Sequence, residues 1–260
     1  MTKCQLRLLA ALVVCSAAGS PVRAQYTQNF NTLASTGTSS TVPLGWGYNE
    51  TGPNADGLYA AGTGSGTAGN VYSFGTAAAD RAFGALRSGN VIPTLGARFQ
   101  NNTGSTLSNL DITYTGEQWR FGATGRADQL DFQYSLNATS ITDAGATWFD
   151  VNALDFISPN TTATVGPLDG NAAVNRTQLT STITGLTLAN GDFIWFRWLD
   201  VDAAGADDGL AIDDFGITQS LTPVTVPVPE PASVLAIAAG AVGVGGYARR
   251  RLARQSSAAE

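Results

Sequence analysis

Regular alternation of apolar and polar residues is the strongest pattern in the chain. Apolar residues occupy every second position over 130–136 and over 110–114, with polar residues between them. This period of two predicts strands with one buried face and one wetter face. The run 193–199 is almost continuously apolar, which predicts a central strand that is covered on both faces. Within it, Trp195 and Trp198 are an odd number of residues apart and should therefore point to opposite faces.

Segments rich in glycine and asparagine interrupt these strands at short intervals, as is typical of sandwiches and barrels. The two terminal segments aside, the chain has no convincing helical period, and 77–86 suits either a short helix or a short strand. The Gly-, Ser- and Thr-rich stretch 35–69 is interpreted as long loops around Trp46. We therefore predict an all-β protein with a single antiparallel β-sandwich over residues 25–219.

The N-terminus, residues 1–24, has the three parts of a secretory signal peptide. A positively charged start is followed by an apolar run over 8–18 and by a cleavage site between Ala24 and Gln25. The apolar run is too short to cross a bilayer as a helix, so removal of the peptide is expected. Both cysteines leave with it, and the mature protein then has no disulfide.

The C-terminus combines a proline-rich stretch, an apolar run and an arginine cluster. Residues 220–231 are predicted to form an extended spacer, because proline disfavours helix in the residue before it. The apolar run 232–248 is predicted to be a single transmembrane helix, although it is short for a bilayer. The basic tail 249–260 would stay in the cytoplasm and leave the large domain outside. An ordinary tail anchor is the alternative interpretation.

These three C-terminal parts together resemble the PEP-CTERM sorting signal of Gram-negative bacteria. The residues that carry the resemblance are Val228, Pro229, Glu230, Pro231, Arg249, Arg250 and Arg251. The resemblance implies that the exported protein is anchored transiently in the inner membrane. A membrane-embedded exosortase then removes the tail and passes the protein to the cell surface or the extracellular matrix. Exosortase and the secretion machinery are therefore the implied partners.

The two ends of the domain resemble jelly-roll domains of the lectin and carbohydrate-binding-module type. The opening resemblance is carried by Phe30-Asn31-Thr32-Leu33 and by Pro43-Leu44-Gly45-Trp46, and the closing one by the segment 211–217. It implies a jelly-roll-like sandwich in which the closing strand lies beside the opening strand.

Composition excludes several classes of function. The chain has no histidine, which excludes a Ser-His-Asp triad, a Cys-His pair and a His-ligated zinc site. Seven of its 14 basic residues and 18 of its 20 acidic residues lie between 25 and 219, so that this domain has a net charge of −11. Binding to nucleic acid is not expected of so acidic a domain.

A dense group of aspartates near the end of the domain is a candidate calcium site. Crowded carboxylates repel one another unless a cation or water separates them, and Ca²⁺ prefers oxygen ligands. In the jelly rolls that the chain resembles, a structural calcium bridges the last and first strands, which implies Asn31 as a further ligand. The candidate ligands are Asn31, Asp200, Asp202, Asp207, Asp208, Asp213 and Asp214. A solvated acidic loop, with aspartates forming turns, is the alternative interpretation.

Five tryptophans offer flat faces for a sugar ring, and Trp46, between two glycines, is expected to be the most exposed of them. Hydrolysis of a sugar bond needs paired carboxyl groups, one of them protonated. The only glutamates between 25 and 219 are Glu50 and Glu117, and Arg120 is expected to pair with Glu117 and lower its pKa.

We therefore predict a secreted, surface-sorted and non-enzymatic protein of the bacterial cell envelope or extracellular matrix. Its role would be structural or adhesive, with calcium and polysaccharide as candidate ligands. A secreted carbohydrate-active hydrolase is the alternative.

Overall fold

The computed structural model describes residues 26–219 and 221–227. Two β-sheets pack their apolar faces against each other, and the helical structure consists of two 3₁₀ turns, Asn152–Leu154 and Ala173–Asn175. The prediction of an all-β protein with two packed sheets is confirmed. Over the described ranges no helix is long and apolar enough to cross a membrane. The predicted signal peptide and transmembrane helix lie outside them.

The larger sheet has nine strands. They are β1 (Tyr26–Gln28), β2 (Thr38–Ser39), β4 (Tyr59–Gly62), β5 (Asn70–Ala77), β6 (Asp80–Leu86), β8 (Leu107–Phe121), β12 (Gly166–Pro167), β13 (Arg176–Leu188) and β15 (Gly209–Ile217). Their spatial order is β12-β8-β15-β6-β5-β4-β2, with β13 also beside β8. The closing strand β15 also pairs with the opening strand β1, as the resemblance implies. The pair β4–β5 is parallel, which the prediction of an antiparallel sandwich did not include.

The smaller sheet has seven strands. They are β3 (Trp46–Thr51), β7 (Ile92–Asn101), β9 (Gln129–Ser135), β10 (Phe149–Asp150), β11 (Phe156–Ile157), β14 (Phe193–Asp200) and β16 (Leu221–Pro223). Their order is β10-β9-β14-β7-β16, with β11 beside β9 and β3 beside β7. The apolar run 193–199 thus forms a central strand between β9 and β7, as predicted.

Aromatic residues from both sheets fill the space between them. Phe30, Phe83, Trp198 and Phe215 are buried around Trp46, and the rings of Trp46 and Trp198 stack with their centres 5.6 Å apart. By contrast, Trp195 of the same strand as Trp198 belongs to a separate cluster on the outer face of the smaller sheet. The prediction that these two tryptophans point to opposite faces is confirmed.

The interpretation of residues 35–69 as long loops is wrong. This stretch contains β2, β3 and β4, and Trp46 begins β3, where it faces Ala97 of β7. Short strands rich in glycine show no alternating period, and neighbouring strands in the sheet provide their hydrogen bonds. The segment 77–86, left open between helix and strand, is mostly β6.

The first part of the predicted proline-rich spacer is attached to the folded domain. Strand β16 lies along β7, and beyond it the main-chain N–H of Val224 donates to the carbonyl of Arg98 at 3.1 Å. Val226 is buried against Trp195 on the outer face of the smaller sheet. The folded domain therefore continues to Val226, only three residues before Pro229.

Candidate functional site

Trp148 is the only tryptophan with a partly exposed side chain. Trp46 is 2% exposed, so the expectation that it offers an exposed face is wrong. Its ring lies in the core, and its Nε1 donates to the Tyr26 hydroxyl at 2.8 Å. Trp119, Trp195 and Trp198 are also buried, whereas Trp148 is half-buried.

Around Trp148, polar and aromatic groups form a continuous surface that we call the Trp148 patch, made of Gln133, Trp148, Asp150 and Arg197. The Arg197 guanidinium lies 3.9 Å from the centre of the Trp148 ring, and its Nε donates to Gln133 Oε1 at 2.7 Å. Gln133 Nε2 in turn donates to Asp150 Oδ1 at 2.5 Å. Arg197 alternates with the core residues Phe196 and Trp198, which places the patch on the outer face of the smaller sheet.

An exposed ring lies at the same edge of the smaller sheet. Phe149 is 46% exposed and stacks on Tyr134 of the neighbouring strand, with ring centres 5.1 Å apart. Phe149 and Tyr134 share the face of the sheet that carries the core residue Phe196, whereas Gln133, Asp150 and Arg197 lie on the opposite face, so this ring is not part of the patch.

The predicted aspartates fall into separate places rather than one site. Asp200, Asp207 and Asp208 meet Asp128 at the end of β14, in a group that we call the acidic corner. Asp208 Oδ1 accepts from Gly122 N and Asp208 Oδ2 accepts from Gln118 Nε2, both at 2.7 Å. Burial raises the pKa of Asp128 to about 6 and that of Asp200 well above its usual range.

Both arginines near the acidic corner have partners. Arg126 Nη1 lies 3.4 Å from Asp128 Oδ2 and 3.2 Å from Asp208 Oδ1. Arg87 Nε lies 3.4 Å from Oδ1 of Asp202, whose side chain is exposed at the surface. The side chain of Asp202 therefore points away from the buried carboxyl groups with which the sequence analysis grouped it as a candidate ligand.

A second group of buried acids lies on the outer face of the larger sheet. Burial raises the pKa of Asp213 to about 8 and that of Glu117 to about 7. The charges of Asp80 and Asp214 raise both pKa values further, and the charge of Glu117 also raises the pKa of Asp213. The expected pairing of Glu117 with Arg120 is wrong. Glu117 Oε2 accepts from Trp119 Nε1 at 2.8 Å, while Arg120 Nη1 donates to the carbonyl of Gly64 at 3.2 Å.

Asn31 and Asp214 are placed apart from the acidic corner. Asn31 Oδ1 accepts from Arg81 N at 2.7 Å, and Asp214 is an exposed residue of β15 with a φ of +47°. The seven candidate calcium ligands are thus divided between the end of β14 and the region of β1 and β15. Within 26–219 and 221–227, no group of three or more acidic side chains is already arranged around a common metal position.

The sequence did not single out Asp128, Gln133 or Arg197. Asp128 lies far along the chain from the other members of the acidic corner, and only the pairing of β9 with β14 brings it there. The one available signal was its position directly before the alternating run that forms β9.

Sorting is carried by the C-terminal segment. Residues 227–251 match the PEP-CTERM protein-sorting motif. The predicted residues Val228–Pro231 and Arg249–Arg251 fall within this match, although they lie outside the described residues, as does the predicted cleavage site at Ala24 and Gln25. The PEP-CTERM motif marks an exported protein that is sorted to the cell surface.

Solved structures with a similar fold include carbohydrate-binding and adhesin domains. The CBM22-1 xylan-binding domain of Xyn10C from Paenibacillus barcinonensis is 10% identical, with a TM-score of 0.35 over 80% of this chain and 100% of that one. The K3 cleaved adhesin domain of Lys-gingipain from Porphyromonas gingivalis is 15% identical, with a TM-score of 0.41 over 75% of this chain and 100% of that one. TM-scores this low establish no shared function. Comparison with curated proteins finds no match.

Proposed function

We propose that this protein is a non-enzymatic adhesive component of the cell surface or extracellular matrix, and that it binds polysaccharide through the Trp148 patch. Its sorting to the surface follows from the PEP-CTERM motif at residues 227–251. A protein delivered there meets the polysaccharides of the cell envelope and matrix.

The Trp148 patch is the observation that carries this proposal. Sugar rings have apolar C–H faces that pack on aromatic side chains, and hydroxyl groups that exchange hydrogen bonds with amides and carboxylates. Trp148 supplies the exposed part of its ring, since Arg197 covers one face and the ring packs on the Trp195 cluster. Gln133 and Asp150 supply the polar groups, already joined by a hydrogen bond of 2.5 Å. Arg197 holds Gln133 and the Trp148 ring in place, which reduces the entropy lost on binding.

Burial of Glu117 and Asp213, whose pKa values are raised, favours a non-enzymatic role over the hydrolase alternative. A glycosidase requires two carboxyl groups that flank the bond to be broken. Glu117 is 1% exposed and Asp213 is 5% exposed, so neither presents its carboxyl group to a polysaccharide. We assign both to the structure of the larger sheet.

Binding to the host's own exopolysaccharide, measured by affinity electrophoresis on protein released from the cell surface, tests the proposal. We expect Trp148→Ala to weaken binding about tenfold, which corresponds to about 1.4 kcal/mol. Val174→Ala is the matched control, because Val174 is 73% exposed and lies outside the patch. Equal binding by Trp148→Ala and the wild type would refute the assignment of the patch. Release of sugar fragments would instead support the hydrolase.

Processing of the tail is tested separately by mass spectrometry. In a host with an exosortase, we expect the surface form to lack Arg249, Arg250 and Arg251. An intact tail on the surface form would contradict removal of the sorting segment.

A further inference from the structure

Asp200 is a buried carboxyl group without a partner. It is 3% exposed, and among the described residues neither Oδ1 nor Oδ2 has a hydrogen-bond partner. A buried carboxylate is costly to the fold unless it is paired, hydrogen-bonded or bound to a metal ion. Among the described residues, the carboxyl oxygens of Asp200 have neither an ion pair nor a hydrogen bond.

The surroundings of Asp200 concentrate negative charge. Asp200 ends β14 opposite Leu130, which brings it close to Asp128 at the start of β9. The loop 201–208 then returns and places Asp207 nearby. Burial is the main cause that raises the pKa of Asp200, the charges of Asp128 and Asp207 add to it, and Arg87 opposes it.

No basic side chain neutralises the Asp200 carboxylate within the described part of the chain. Arg126 is bound by Asp128 and Asp208. Arg87 Nη1 donates to the main-chain carbonyl of Asp200 at 3.1 Å and its Nε pairs with Asp202, so Arg87 lowers the pKa of Asp200 without forming an ion pair with its carboxylate. The carboxyl groups of the acidic corner thus outnumber the guanidinium groups, and the least compensated of them is Asp200.

We propose that the acidic corner binds one Ca²⁺ ion, with both oxygens of Asp200 as its central ligands and with Asp128 and Asp207 beside it. Calcium takes six to eight oxygen ligands from carboxylates, main-chain carbonyls and water, in flexible geometry. The three carboxylates do not converge on one point unaided, so carbonyl groups of the loop 201–207 and water complete the shell. Histidine and cysteine, the ligands that transition metals favour, do not occur between residues 25 and 219.

This site is narrower than the set of ligands that the sequence indicated. Asp202 is exposed, and Asp208 is not among the carboxylates whose charge acts on Asp200. Asn31, Asp213 and Asp214 belong to the region of β1 and the middle of β15. A bound ion would join the ends of β9 and β14 to the loop that leads into β15. The proposal does not depend on binding of polysaccharide by the Trp148 patch.

Thermal unfolding of the full exported protein, freed of metal with EDTA and titrated with CaCl₂ or MgCl₂, tests the site. An ion that binds only the folded state raises the Tm as its concentration rises. We expect millimolar Ca²⁺ to raise the Tm of the wild type by several degrees, with a smaller effect of Mg²⁺. Asp200→Asn should abolish this shift, and isothermal titration should find one ion in the wild type and none in the variant.

Asp202→Asn is the matched control, because it removes the same charge from the same loop and should keep the calcium shift. If Asp200→Asn does not fold, Asp207→Asn replaces it and should raise the concentration of Ca²⁺ needed for the shift. Absence of any calcium effect on the wild type would overturn the proposal. So would a shift that is lost in Asp213→Asn but kept in Asp200→Asn, because the ion would then lie beside the middle of β15.

Discussion

Glu117 offers a direct test of the electrostatics of the larger sheet, because glutamine can replace it without loss of shape. Trp119 Nε1 donates to Glu117 Oε2 at 2.8 Å, and the amide oxygen of Gln can accept the same bond. Burial raises the pKa of Glu117 from 4.5 to about 7, the charges of Asp80 and Asp214 add to this, and Arg176 opposes it. In the unfolded chain the carboxyl group returns to its ordinary pKa.

Between about pH 4.5 and pH 7 the folded protein therefore holds one more proton at Glu117 than the unfolded chain does. The free energy of unfolding falls with rising pH wherever the folded state binds more protons. The contribution of Glu117 is fully present below about pH 4.5 and is lost as the pH rises through about 7. It amounts to about 3 kcal/mol, at about 1.4 kcal/mol for each pH unit. Asp213, with a pKa of about 8, extends the decrease in the same direction.

Urea unfolding followed by tryptophan fluorescence between pH 5 and pH 8 measures this effect. We expect the free energy of unfolding of the wild type to fall as the pH rises from 5 to 8. In Glu117→Gln it should fall less steeply, by up to about 1.4 kcal/mol for each pH unit, because one proton fewer is released. Asp143→Asn is the control: hydrogen bonds lower the pKa of Asp143, so it stays charged throughout the range and its removal should leave the slope unchanged. A wild type whose stability does not fall from pH 5 to pH 8, or a variant that keeps the full slope, would refute the reasoning.

Three further substitutions test the packing. Trp46→Ala should reduce the free energy of unfolding by about 3–5 kcal/mol in urea, because it empties the centre of the core; a loss below about 1 kcal/mol would contradict this burial. Gly64→Ala should lower the Tm, because Gly64 has a φ of +78° and its new Cβ would collide with the Trp119 carbonyl; an unchanged Tm would argue against that approach. Val226→Asp should destabilise the domain by about 2 kcal/mol, because it places a charge against Trp195. Limited proteolysis should then cut the variant before residue 226 faster than the wild type. Equal resistance of the two proteins to the protease would mean that the segment from β16 to Val226 is not docked.

The long strands could be predicted from the sequence because apolar and polar residues alternate along them. Leu130 and Phe132 alternate with polar residues in β9, and both are completely buried. The short strands of 35–69 could not be predicted in this way. A strand of two to six residues is held by its neighbours, and β3 owes its place to pairing with β7 over its whole length.

Proximity in sequence was a poor guide to the candidate site. Asp200 and Asp213 are close along the chain, but a loop and the first residues of β15 separate them, and they belong to different groups of acids. The neighbours that matter for Asp200 include Asp128, which only sheet pairing brings near. The burial of Trp46 could not be inferred from the residues around it either. The flanking glycines suggested an exposed loop, but the ring lies in the core.

The docking of β16 limits the tether on which the sorting motif is presented. An extended chain spans at most about 3.6 Å for each residue, so the three residues that follow Val226 in the sequence can span at most about 11 Å. An enzyme that acts on Pro229-Glu230-Pro231 must therefore reach almost to the surface of the smaller sheet. The alternative is that β16 peels away from β7 first, which would lengthen the tether by the residues released. Stability of a three-residue edge strand would then set how readily the whole protein is processed.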